Sequence, residues 1–125
     1  MKSENLSPLL PLEEHLNRAL TELLLLRLLS KKEYYVGELN EALSAHGRSE
    51  ALSAFPYSVF YRLLQAEYIL ESRKRNCPDG RRRQYYTITD AGKVYLTELV
   101  AVYERFTASV TAILQRGEDS NDSVN

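Results

Sequence analysis

The sequence predicts an α+β domain that is mainly α-helical. Three observations carry that expectation: leucines at helical spacing near the N-terminus, two β-prone runs flanking a turn cluster after Tyr68, and an apolar 3-4 repeat after Thr89. Taken in order, the pieces are three helices, a hairpin and a long last helix. That is the layout of a winged helix-turn-helix domain followed by a long C-terminal dimerisation helix. A chain of 125 residues holds one such core. Hydrophobic content of 44% with 26% charged residues is that of an ordinary globular protein. Residues 1–11 read as an N-terminal extension, 12–88 as the winged helix-turn-helix DNA-binding domain, 89–116 as the dimerisation helix and 117–125 as a disordered tail.

The first helix is expected from about Leu12 to Ser30, with Leu16, Leu20, Leu23, Leu24 and Leu28 recurring at three and four residues. Gly37 to His46 reads as a second helix with Leu39, Ala42 and Leu43 inward, stopped by Gly47. The third opens near Ser53 as its cap and tolerates Pro56 in its first turn, where amides lack intrahelical acceptors. The runs 68–75 and 83–89 then form a hairpin around Asn76-Cys77-Pro78-Asp79-Gly80. Thr89 caps the last helix, Asp90 complements its dipole, and the helix is expected to reach about Gln115.

Projected at about 100° per residue, the third helix puts Pro56, Phe60, Leu63 and Leu64 on one side. Ser58, Tyr61, Arg62 and Gln65 lie opposite, with Tyr57 at the border. That outward set has hydrogen-bonding groups and a cation but no acid, the composition needed to approach phosphates and base edges in a major groove. Arg62 suits guanine and Gln65 suits adenine. A plain solvated helix face has the same appearance.

Net charge is −1, yet Arg73, Lys74, Arg75, Arg81, Arg82 and Arg83 fall together on the hairpin with only Asp79 opposing. Local potential decides binding, so a near-neutral chain can carry an anion-seeking patch. These six cations are expected to line phosphates or enter a narrow minor groove. Edge-strand protection is the bland alternative. Alternation along the strand is expected to send Arg81 and Arg83 one way and Arg82 the other. Cys77 is expected as an incidental exposed residue in the turn, with a redox role the less favoured reading.

In the last helix Leu96, Leu99, Tyr103, Phe106, Val110 and Ile113 follow a 3-4-3-4-3 spacing, the seam of a coiled coil. A homodimer through this helix follows, with two reading helices and pseudo-palindromic sites whose half-sites lie about 10 bp or a multiple apart.

These residues also resemble a known family. Gly80-Arg81-Arg82-Arg83-Gln84-Tyr85-Tyr86-Thr87-Ile88-Thr89-Asp90-Ala91-Gly92 is similar to the wing-to-helix signature of PadR-type regulators. Tyr57-Ser58-Val59-Phe60-Tyr61-Arg62-Leu63 is similar to the family's recognition helix, and Leu20 to Ser30 to its leucine-rich first helix. The chain departs from the family in three places: Ser58 stands where Pro usually follows Tyr, Glu67 where Gly usually ends the recognition helix, and Tyr35-Val36-Gly37-Glu38-Leu39 opens the second helix. With one helix after the wing it looks like the short subclass. The resemblance implies a bacterial repressor that binds double-stranded DNA as a homodimer and is released by a small-molecule effector or another signal. Tyr95, Tyr103 and Phe106 are candidates to line an effector pocket, although packing is their plainer role.

Other classes find little support. The chain shows no Gly-rich phosphate loop, no Ser-His or Cys-His pair with an orienting acid, and no paired carboxylates at a suggestive position, so an enzyme is not expected. His15 and His46 lack neighbours at ligand spacing, and neither a metal nor a cofactor is expected. The single cysteine fits a reducing compartment. The leucine-rich stretch falls short of the ~18 apolar residues of a membrane span, so a cytoplasmic protein is expected. The remaining rival is a winged-helix interaction module binding an acidic protein partner.

Overall fold

A computed structural model describes residues 10–45 and 55–124 of the chain. Its elements run α1 (Leu10–Lys31), α2 (Val36–Ala45), α3 (Tyr57–Gln65), β1 (Ile69–Asn76), β2 (Arg82–Ile88) and α4 (Asp90–Val124). The order is the predicted one.

Leu25, Leu26 and Leu29 of α1, Leu39 and Leu43 of α2, Phe60 and Leu63 of α3, and Phe55, Ile69, Ile88 and Leu96 make one core. For α1 this corrects the face read from the sequence: Leu16 and Leu24 are exposed, while Leu23 and Leu28 only border the core. Leucines surround the helix on every side, so periodicity alone cannot choose a face; packing against α2 and α3 does.

The amide of Tyr35 donates to Glu38 Oε1 at 3.3 Å, and Leu39 N–H reaches the Tyr35 carbonyl at 3.0 Å, so α2 starts one residue before the expected Gly37. This is the back half of a capping box. His46 and Gly47, expected at the end of α2, and Ser53, expected to cap α3, lie outside the described residues. Pro56 is itself the N-cap of α3, without a side-chain cap bond, rather than a first-turn residue.

α3 ends in a Schellman arrangement. Tyr68 N–H bonds the Leu63 carbonyl and Glu67 N–H the Leu64 carbonyl, both at 3.0 Å. Glu67 adopts φ 64, the left-handed conformation that the closing residue of this motif requires. The chain then turns directly into β1.

β1 and β2 pair antiparallel, Ile69 with Ile88 through Glu71 with Tyr86. A bulge between Glu71 and Lys74 shifts the pairing to Lys74 with Gln84, Arg75 with Arg83 and Asn76 with Arg82. Tyr34, between α1 and α2, bridges Tyr86 on the other edge of β2 and ties the hairpin to the helices. At the tip Gly80 N–H bonds the Cys77 carbonyl at 2.8 Å, and Cys77 N–H bonds the Arg81 carbonyl at 2.7 Å. Pro78 and Asp79 occupy the turn centre and Gly80 takes φ 88, a conformation suited to glycine.

Thr89 caps α4 as the sequence predicts, its Oγ1 accepting from Gly92 N–H at 2.9 Å. The same hydroxyl donates to the Glu67 carbonyl at 2.7 Å, pinning α4 to the end of α3. A Cβ on Gly92 would overlap the Tyr68 carbonyl, so the close approach of helix to hairpin requires glycine there. The sequence ends this helix near Gln115; it continues to Val124. Gly117 costs only about 1 kcal/mol relative to Ala, and no proline follows to stop the helix.

Candidate nucleic-acid interface

The outward face of α3 is the one expected. Phe60 and Leu63 are buried, which leaves Tyr57, Ser58, Tyr61, Arg62 and Gln65 exposed on a helix with no acid of its own. Tyr57 and Tyr61 stack with ring centroids 5.8 Å apart, and Tyr57 also meets Phe55 edge-on at 4.9 Å. Tyr86 from β2 packs edge-on against Phe60 at 4.9 Å. Tyr61, edge-on to Phe60 at 5.8 Å, therefore lies on the side of the face nearest the hairpin, with Tyr57 stacked beside it.

Arg62 forms the opposite rim, 61% exposed, with its guanidinium 2.6 Å from the carboxylate of Glu22 on α1. Glu22 in turn accepts a hydrogen bond from Tyr95 Oη at 2.7 Å. That bond, followed by burial, pushes the Tyr95 phenol up to about 12, so it stays a donor throughout the physiological range.

The hairpin divides its six cations into two sets. Arg83 forks onto Asp79 through two bonds of 2.9 and 2.8 Å and lies over the Tyr35 ring at 4.7 Å. Arg75, opposite it, lies over Tyr85 at 4.0 Å, and Tyr35 meets Tyr85 edge-on at 5.5 Å. Two like charges directly across the strands are tolerated because each has its own aromatic or anionic partner. Arg73, beside the bulge, bonds both carboxylate oxygens of Glu33 at 3.2 and 3.3 Å. Bonds from Arg73 and then Ser72 hold the Glu33 carboxyl below its ordinary range.

Lys74, Arg81 and Arg82 form no ion pair or ring contact among the described residues. Lys74 pairs in register with Gln84, and alternation puts Gln84 and Arg82 on the same face as Tyr86, the face turned toward α3. Arg81 precedes β2 and belongs to the turn, so strand alternation separates Arg82 from Arg83 but does not apply to Arg81.

Cys77 is buried, 8% exposed, which corrects the expected exposed thiol. Its Sγ lies 3.7 Å from Tyr85 Oη, under the aromatic and guanidinium cluster, at the first residue of the turn, where the chain is still paired across the hairpin. Of the residues that shape the interface, Asp79, Tyr35, Tyr85 and Tyr95 stand out in the sequence only in other roles, and Glu22 and Glu33 do not stand out at all. Glu22 and Glu33 meet partners 40 residues away, and no local spacing announces such pairs. The short Asp79-to-Arg83 separation was the one legible signal.

Along α4, Leu96 is spent on the core at 8% exposure and Leu99 packs against it, so the seam expected to start at Leu96 is available only further on. Tyr103, Phe106, Val110 and Ile113 are exposed, as are Val102 and Leu114. A groove of about 650 Å³ runs between α1 and α4, lined by Leu23, Leu96, Val100 and Tyr103 with Arg27 and Glu104 among its polar residues. No helix among the described residues is long and apolar enough to cross a membrane.

Residues 25–98 match the transcriptional regulator PadR-like family. An uncharacterized protein of Lysinibacillus sphaericus is 37% identical over 79 residues, covering 62% of this chain and 72% of that relative. Among solved structures, a PadR-like transcriptional regulator from Bacillus cereus is similar at a TM-score of 0.71 and 26% identity, over 81% of this chain and 97% of the other. A PadR family transcriptional regulator from Eggerthella lenta is similar at a TM-score of 0.65 and 25% identity, over 80% and 82% of the two chains.

Proposed function

The chain belongs to the PadR-like family of transcriptional regulators, and from that premise we propose that it regulates transcription by reading double-stranded DNA with α3 while the hairpin grips the phosphates. The observation that carries this reading is the exposed, acid-free face of Tyr57, Ser58, Tyr61, Arg62 and Gln65 beside a hairpin on which the Lys74, Arg81 and Arg82 side chains form no ion pair or ring contact among the described residues. Cations already committed to Asp79, Glu33 and aromatic rings hold the hairpin's shape; the uncommitted ones are positioned to displace counterions from DNA. Arg73, Arg75 and Arg83 thus move from direct contacts to supports that keep the hairpin in place. Family membership does not favour the interaction module for an acidic partner.

We further propose a homodimer formed through α4. The exposed strip of Tyr103, Phe106, Val110 and Ile113 supports it, since an apolar seam of this spacing is satisfied by a second helix of the same kind. Symmetry then supplies two reading helices. A small-molecule effector that releases DNA is assigned to the groove between α1 and α4, where apolar walls with Arg27 and Glu104 among them suit a ligand with an apolar body and a polar end.

Binding to duplex DNA tests the grip. With Lys74, Arg81 and Arg82 all changed to Ala, tight duplex binding should be lost. The single change Arg82→Ala should lower the slope of log affinity against log salt by about 0.9 per subunit. A triple variant that binds duplex with the affinity and salt slope of the unaltered chain would remove the hairpin from the mechanism.

A further inference from the structure

Three elements meet on a single carboxylate. Glu22 of α1, 18% exposed, accepts from Arg62 Nη2 of α3 through Oε2 at 2.6 Å and from Tyr95 Oη of α4 through Oε1 at 2.7 Å. Tyr95 is held in turn by stacking on Tyr68, with centroids 4.3 Å apart and planes 17° from parallel. Tyr68 is the residue whose amide closes the end of α3. The carboxylate is therefore oriented from two sides.

An arginine reads guanine by placing two donors in the plane of the base. A largely exposed arginine without a partner samples many rotamers and must be ordered at the moment of binding. Here the bond to Glu22 engages one of the two Nη2 N–H groups, and the other remains to form a two-donor edge with its neighbouring nitrogen, since the group carries five donors. Two bonded oxygens also mean that Glu22 does not swing freely to follow a wandering side chain.

We propose that Glu22 is the positioning residue for Arg62 in base reading, and that Tyr95, through Glu22, couples that reading to the seat of α4. The inference rests on α3 being the groove-facing helix. It deepens that reading by assigning two residues that themselves touch no base. Because α4 also carries the exposed apolar strip, whatever moves its first turns reaches the reading face through the Glu22 side chain as well as through the Thr89 bond to the end of α3.

The test uses the full chain and duplexes selected from a random pool. Comparing the consensus of the unaltered chain with that of Arg62→Ala identifies the base pair that Arg62 reads. Affinity is then measured for two duplexes differing only there. Glu22→Gln and Tyr95→Phe should each lower the discrimination ratio about tenfold, and neither should lower it further in an Arg62→Ala background. Tyr95→Phe keeps the ring and its stack, so it decides the matter should Glu22→Gln fail to fold. Unaltered or sharper discrimination in these variants overturns the proposal, as does an equal loss with Arg62 absent or an Arg62→Ala consensus identical to the original. In each of those cases DNA reading itself stands. If the unaltered chain enriches no consensus, the DNA reading and this inference fall together.

Discussion

Glu67 shows how one position can be fixed by backbone geometry and filled by a poorly suited residue. The end of α3 demands φ 64 there, a conformation that a Cβ disfavours and glycine accepts freely. Glu67→Gly should therefore raise stability by about 0.5–1 kcal/mol after the greater freedom of glycine in the unfolded chain is subtracted. Thermal unfolding checks this, and a lowered midpoint would contradict it. The Glu67 carbonyl that accepts from Thr89 is retained in the variant. Asp79 gives a pH prediction. The Arg83 fork, helped by the Arg81 amide, holds its carboxyl at about 2, against an ordinary 3.8. A group depressed on folding contributes stability above its unfolded pKa and loses it as pH falls through the folded one. The clasp at the hairpin tip should thus be intact at pH 4 and open as pH falls toward 2. A carboxyl NMR titration of Asp79 should show a midpoint near 2 that moves back toward 3.8 in Arg83→Ala. At this scale the sequence was only partly legible. Alternation separates Arg82 from Arg83 as the sequence predicts, but neither Arg83's engagement with Tyr35 nor the place of Arg81 in the turn was legible there.

Among the elements, those bounded by strong local chemistry were legible and those decided by tertiary packing were not. Pro78, Asp79 and Gly80 fix the hairpin turn, and Thr89 fixes the start of α4, through bonds within a few residues. The buried side of α1 depends on which neighbours it meets, and a helix with leucine all around gives no phase. The heptad pattern of α4 was visible, but not that its first positions, Leu96 and Leu99, serve the chain's own core. The remainder of the strip makes a direct prediction. Phe106, 65% exposed, should be covered in a dimer, so Phe106→Asp should reduce the sedimenting mass from two chains to one. Thermal unfolding at high dilution should change little, because Phe106 lies outside the core. An unaltered mass would exclude this stretch of α4 as the interface.

For the molecule as a whole, the division of labour follows from where charge is neutralised internally and where it is left open. The core of α1, α2, α3, the two strands and the first turns of α4 presents α3; the aromatic and guanidinium cluster of Tyr35, Tyr85, Arg75 and Arg83 lies beneath the hairpin; the rest of α4 extends outward. The family was legible because its wing-to-helix run is contiguous, Gly80 through Gly92, with Gly80, Thr89 and Gly92 each fixed by local geometry. The links among Glu22, Arg62 and Tyr95 join three distant stretches and leave no trace in the order of residues. Everything proposed for this molecule depends on a symmetric pair of these chains reading duplex DNA through α3. Selection of bound duplexes from a random pool is the most direct test: an enriched palindrome with half-site centres about 10 bp or a multiple apart is expected, and a pool that stays random through successive rounds would contradict DNA reading by a symmetric pair.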